Sequence, residues 1–234
     1  MRYRTLILMI VACMSGIFSA AAETSEDEVI ITKPYFGWRL GCDISCPGDV
    51  SSGMASVKMF THGLGVEFGC VYHYPFVANF YLEPGFKVYY DAYSVNEDVA
   101  HMAGADKSIK NWSIFKYGMR VPVMVGYRFH VNQKVGVYVF TGPELEIGLT
   151  AYERIKRIVS IGDMDFHTGV STSDIYADDN GLNRINALWT IGAGVSYRKV
   201  FFDLSGSLGM LNMSKVSGTR FHENRVTVGV GYNF

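Results

Sequence analysis

Charge is what this chain has least of. Asp, Glu, Lys and Arg make up 18% of its 234 residues, where a soluble globule usually carries about a quarter. The formal charge is −1, so the basic excess that marks a nucleic-acid binder is missing. Proline is scarce at 6 residues and cysteine at 4. No CxxC pair and no His spacing suggests zinc, so neither a metal nor another cofactor is expected. Beyond the N-terminus there is no apolar run of the ~18 residues that a membrane helix needs. What the chain has instead is 49% apolar residues, 25 Gly, 15 Tyr and 15 Phe. That balance excludes disorder and points to strands.

The first 22 residues read as an export signal. Met1-Arg2-Tyr3-Arg4 is a short cationic head, Thr5 to Phe18 is apolar, and Ser19-Ala20-Ala21-Ala22 supplies small residues for cleavage. Ile10-Val11-Ala12-Cys13 resembles a lipoprotein box, but the apolar segment continues through Ile17 and Phe18. Ordinary cleavage after Ala22 is therefore expected. Removing Arg2 and Arg4 takes the net charge from −1 to −3. Residues 23–34 form a polar periplasmic lead, and residues 35–234 a single outer domain. Cys42, Cys46 and Cys70 remain as packing residues or one optional disulfide.

From Tyr35 onward the apolar period is two, the signature of strands. Eight segments alternate: Tyr35–Ser45, Gly63–His73, Asn79–Asp91, Phe115–Phe129, Lys134–Thr150, Ile185–Arg198, Val200–Met210 and His222–Phe234. In the fourth, Phe115, Tyr117, Met119, Val121, Val123, Val125, Tyr127 and Phe129 share one face, with aromatics at both ends. Lys116, Gly118, Arg120, Gly126 and Arg128 occupy the other. A face of Gly and charge cannot be the core of a soluble sandwich, whereas an apolar face toward lipid with aromatic girdles suits a membrane barrel. The connections alternate long (46–62, 92–112, 151–184, 211–221) and short (74–78, 130–133, near Lys199), as in outer-membrane barrels with short periplasmic turns. The expected fold is all-β, an eight-stranded antiparallel transmembrane barrel. Pro84, Pro122 and Pro143 fall inside it, and bulges, or strands beginning near them, are expected there.

Several stretches resemble a known family: Arg120-Val121-Pro122-Val123-Met124-Val125-Gly126-Tyr127-Arg128-Phe129, Gly136 to Glu144, Ile191 to Val195 and the ending Val230-Gly231-Tyr232-Asn233-Phe234. The chain is similar to small OmpA/OmpX-type outer-membrane barrels and to PorT-like outer membrane protein beta-barrel proteins. That resemblance implies a place in the outer membrane among its lipids. It also implies insertion by the barrel-assembly machinery, which would read Tyr232 and Phe234. It transfers no catalytic residue.

The expected interior charges are Arg39, Lys87, Lys116, Arg120, Arg128, Arg198 and Arg225 against Asp43, Glu67, Glu83, Glu144, Glu146 and Asp203. An eight-stranded barrel is just wide enough to be filled by side chains, and a buried ion must be paired. A salt-bridged plug is the expected outcome and a narrow pore the alternative. A lipid-modifying enzyme would need Ser, His and acid together, which Asp163, Asp165, His167, Ser171 and Asp174 could supply; no enzyme is expected. Asp178-Asp179-Asn180-Gly181 lacks the spacing of a calcium loop. Recognition is expected in 151–184, the longest connection. Its stem carries Arg154, Lys156 and Arg157, and its tip carries Asp163, Asp165, Asp174, Asp178 and Asp179. A surface polysaccharide or host ligand is the expected partner.

Overall fold

The computed structural model describes residues 34–53, 55–102, 109–132, 134–161, 164–177 and 181–234. The signal segment and nearly all of the lead lie outside them. In chain order the elements are β1 (Tyr35–Pro47), β2 (Val50–Ser52), β3 (Ala55–Val57), β4 (Gly63–Val77), β5 (Phe80–Ser94), α1 (Glu97–Met102), β6 (Ile109–His130), β7 (Val135–Ile161), β8 (Met164–Asp174), β9 (Ile185–Tyr197), β10 (Val200–Gly209), β11 (Thr219–Arg220) and β12 (Glu223–Asn233).

Eight of these strands close a ring, β1-β4-β5-β6-β7-β9-β10-β12, and every neighbouring pair is antiparallel. The first strand pairs with the last, Trp38 opposite Tyr232 and Cys42 opposite Val228. Closure leaves no open edge in the ring, which is what lipid demands of a sheet. The eight expected segments are these eight strands, with boundaries moved by no more than six residues except at the end of β7, which runs eleven residues further, to Ile161.

The alternation fixes the facing. Outward positions such as Phe68, Val88, Val125, Ile191, Leu204 and Val228 are exposed, and in the described ring below Tyr152 no outward position carries a charge, the exposed Arg154 of β7 lying above it. Phe36–Tyr72, Phe80–Tyr127 and Tyr127–Phe129 pack as one aromatic belt near the short turns. Tyr90, Phe115, Tyr117 and Tyr152 form the opposite belt. Two belts around an aliphatic band are the layout that headgroups and acyl chains select. The three cysteines are free thiols.

The prolines do not break the ladder in the expected way. Pro84 lies opposite Val123, and Pro122 opposite Glu144. The register runs unchanged past both and past Pro143, with rungs missing beside Pro84 and Pro122. The shifts occur elsewhere, at Pro75/Val77, Lys110/Trp112, Tyr117/Gly118 and Arg157/Ile158. The lost N–H groups are absorbed by skipped rungs, so no extra residue is inserted.

Strand length separates wall from superstructure. About 9–11 residues cross a bilayer, yet β6 has 22 residues and β7 has 27. The lower part of β7 pairs with β9 through Ile147, and the part from Tyr152 upward pairs with β8. The basic stem of the longest connection is thus the top of a hairpin that rises beyond the barrel.

Candidate functional site

The barrel interior is stacked in three layers. The floor, near the short turns, is aromatic. Tyr35, Tyr81, Tyr138 and Phe201 pack together, and His73 stacks on Tyr35 at 4.4 Å and on Tyr81 at 4.3 Å. Arg39 lies 4.7 Å and Arg128 5.4 Å from the Phe201 ring. Arg39 also meets Glu83 at 3.2 Å, and His73 Nδ1 meets the same carboxylate oxygen at 3.2 Å. Arg128 donates to the Tyr35 hydroxyl at 3.2 Å.

The rings fit because glycines face them across the ladder. Tyr81 pairs with Gly126, Tyr89 with Gly118 and Tyr138 with Gly194. A Cβ at each of these glycines would fall inside the van der Waals radius of the facing ring. Some of the glycines that dilute the inner face in the sequence are thus seats of its aromatics, a device that also pins the register, while Gly41, Gly65 and Gly229 make room for Glu67, Asp91 and Asp203.

The middle layer is ionic and centres on Arg120, which has no solvent exposure. Its Nη1 meets Asp43 at 2.6 Å and Glu67 at 2.9 Å, Nη2 meets Asp91 at 2.6 Å, and Nε meets Glu146 at 2.9 Å. Its guanidinium also lies 3.9 Å from the Tyr89 ring centre. Lys116 bridges Glu146 at 3.1 Å and Glu223 at 2.6 Å. Arg225 bonds Glu144 and lies 3.3 Å from Glu146, and Lys87 holds Glu67 at 2.6 Å. The planar fork of Arg serves several acids at once, which a Lys ammonium cannot do at a fixed geometry.

Twelve of the thirteen expected interior charges face inward. Arg198 does not belong with them. The inward parity of β9 would carry it inside, but the chain turns there with φ 53° and the guanidinium lies 5.8 Å from the Tyr197 ring. Asp91 and Glu223 were missed, although both follow the inward parity of their strands. The described interior therefore sets six cations against eight carboxylates, acidic instead of slightly basic. Hydroxyls help to cover the surplus: Thr227 donates to Asp43 at 2.6 Å and Tyr138 to Asp203 at 3.5 Å. The space left among these groups is about 50 Å³, room for a water or two at ~30 Å³ each.

The roof is built by the four long connections. β11, β2 and β3 form a small sheet joining the first connection to the last. Gly48 N donates to His222 O at 2.9 Å, Asn96 N to Met59 O at 2.8 Å, and Asn183 N to Met213 O at 2.8 Å. Ala151, Tyr176, Leu182, Met213 and Phe221 make an apolar core of their own, and Tyr93, Val95 and Ile114 a second. Burial pushes the Tyr176 phenol above its ordinary pKa. No sequence pattern announces this layer, because each connection contributes only one to three residues to it.

The loop acids are placed only in part. Asp163, Asp178 and Asp179 lie outside the described residues, as do the side chains of Asp165 and His167. Asp174 ends β8, exposed, and accepts from Tyr176 N at 2.9 Å. Ser171 is exposed on the hairpin. Among the described residues no group of three or more His, Cys, Asp or Glu could hold a metal ion. At the bottom rim Tyr232 packs edge-on to Phe234, whose backbone N donates to Phe36 O at 2.9 Å.

The model of the family described as outer membrane protein beta-barrel domain matches residues 35–215. A search of curated proteins finds no match to this sequence. Among solved structures, the chain is similar to the attachment invasion locus protein Ail of Yersinia pestis, in complex with the heparin analogue sucrose octasulfate. Identity is 14% over 87% of this chain and 100% of that one, with a TM-score of 0.40. Neisserial surface protein A is 14% identical over 86% and 99%, TM-score 0.40. OprG from Pseudomonas aeruginosa is 10% identical over 86% and 95%, TM-score 0.42.

Proposed function

This chain belongs to the outer membrane protein beta-barrel domain family, and from that premise we propose that it is a non-conducting scaffold that presents a folded loop cap for ligand binding outside the cell. It is an integral protein of the outer membrane, with its aliphatic band among the lipids. In such barrels the short turns face the periplasm and the long loops face outward. The barrel-assembly machinery recognises the C-terminal strand through Tyr232 and Phe234.

The observation that carries the proposal is where space remains. The interior is occupied by an aromatic floor and by ion pairs around Arg120, and the pocket among them measures about 50 Å³. The wall is committed to lipid. What is left for recognition is the cap, and binding residues concentrate on loops held by a rigid scaffold. Within it the β7–β8 hairpin stands highest. Arg154 and Lys156 lie on its stem, and Lys156 is opposite Val170. A basic stem beneath an acid-bearing tip suits a surface polysaccharide or an acidic host ligand bridged by cations.

The test shortens only the hairpin. Arg154 lies opposite Thr172, so joining them through an Asn-Gly turn removes 155–171 and spares the buried Tyr176 and Leu182. Barrel assembly, read as the mobility difference between boiled and unboiled samples in detergent gels, should be unchanged. Binding of whole cells to a panel of polysaccharides and host matrix proteins should fall for at least one ligand. An unchanged binding profile would refute the recognition role.

A further inference from the structure

The cap is not solid. Between its two apolar cores lies a cavity of about 420 Å³, space for on the order of a dozen waters and within the size range of small-molecule sites. Its walls are Val95, Ile114, Ile175 and Leu182, with Phe60 and Phe221 beneath. Val95, Ile114, Leu182 and Phe221 are each less than 10% exposed, so the cavity reaches down to the buried cores of the cap while staying open to solvent on one side. All four long connections contribute to it.

One edge is polar. Glu153 lines the cavity, and it is the one charged residue among the described lining side chains. Its carboxylate is held in place, accepting from Trp112 Nε1 at 2.9 Å and from the Ser173 hydroxyl at 2.5 Å. Two donors already satisfy it, yet carboxylate oxygens have lone pairs to spare. Val216 and Ser173, both exposed, border the opening.

We propose that this cavity is a binding site for a neutral, single-chain amphiphile, with its aliphatic part among Val95, Ile114, Leu182 and Phe221 and a hydroxyl or amide N–H donating to Glu153. This rests on the ligand-binding reading of the cap and gives it a chemical class. The walls are mostly apolar, Glu153, Ser173, Ser214 and Thr219 being the exceptions, and water gains little along such a surface, which favours an apolar guest there. The fixed carboxylate sets the head group. A fatty acid would bring a second negative charge to an edge that has no cation among its described lining residues, and like charge so placed is a means of rejection. A hydroxyl gains an acceptor there.

The test uses Trp112 as the reporter. The chain has 3 tryptophans, and Trp38 and Trp189 sit on the lipid side. With Trp38→Phe and Trp189→Phe, protein in lipid nanodiscs is titrated with an ω-bromo-undecanol, whose bromine quenches tryptophan at short range. Saturable quenching of Trp112 is expected, at least tenfold weaker for the corresponding bromo-carboxylic acid. Val95→Phe, which puts a ring into the cavity, should abolish it. Val50→Phe fills the opposite wall should the first variant fail to assemble. The complementary protein, keeping Trp38 and Trp189 but carrying Trp112→Phe, should show only unsaturated quenching from probe dissolved in lipid. Linear quenching of Trp112, quenching untouched by an assembled filled variant, or equal affinity for alcohol and acid would overturn the assignment. Those results leave the hairpin truncation to decide separately whether the cap recognises a surface partner.

Discussion

Replacing Arg120 with Met removes the cation on which the ionic layer converges. Five carboxylates lose a partner, but four of them keep another, Glu144 at 4.0 Å being the most distant and keeping Arg225. Glu146 retains Lys116 at 3.1 Å and Arg225 at 3.3 Å, and Glu67 retains Lys87 at 2.6 Å. Asp43 retains Arg225 at 3.7 Å and the Thr227 hydroxyl at 2.6 Å. Among the described residues Asp91 has no second ion pair, and its Oδ1 has no hydrogen-bond partner. The expected cost is therefore close to that of stranding one buried carboxylate, about 3–5 kcal/mol. Loss of the Tyr89 contact is smaller, about 1–2 kcal/mol. Urea unfolding of protein folded into lipid vesicles, followed by gel mobility and tryptophan emission, measures the difference. Adding Asp91→Asn to Arg120→Met should recover most of the loss, because it removes the stranded charge. Arg120→Lys should fall between wild type and Met. An Arg120→Met protein within about 0.5 kcal/mol of wild type, the range of an ordinary surface substitution, would refute the reasoning, as would a double variant no better than the single one.

Gly126→Ala places a methyl against the Tyr81 ring, which His73 stacking at 4.3 Å keeps from swinging away. A loss of about 1–3 kcal/mol in the same unfolding assay is expected, and Tyr81→Ala should abolish the penalty of the added methyl. Deleting Phe234 removes the hydrogen bond to Phe36 O and the rim aromatic beside Tyr232. The amount of gel-shifted barrel in the outer membrane should drop while exported precursor is still processed, and unchanged barrel levels would show that assembly does not depend on the terminal aromatic.

The wall was legible in the sequence because a strand in lipid must alternate. Phe115 to Phe129 on one parity and Lys116 to Arg128 on the other leave no second fold that buries both faces. The same rule placed twelve interior charges. It failed at the ends of strands. Asp91 closes the third expected segment and Glu223 is the second residue of the eighth, each on the parity of the charged face, yet neither was counted among the interior charges. Arg198 is the opposite error, parity carried one residue past the strand into a turn. The prolines misled because a missing N–H in a closed ring can be absorbed by a skipped rung instead of a bulge. The cap was illegible for a different reason. Its contacts, Phe60 with Val95 and Leu182 with Ser214, join residues far apart in sequence that follow no period, so composition alone marks them as loop.

The central claim is that the barrel is filled and that its work is done in the cap. Planar-bilayer recording of the refolded full-length mature protein tests this most directly. The ionic layer and aromatic floor predict a baseline indistinguishable from protein-free membrane across applied voltage. Reproducible ohmic steps that appear with the wild-type protein would mean that the interior conducts, and would contradict the account.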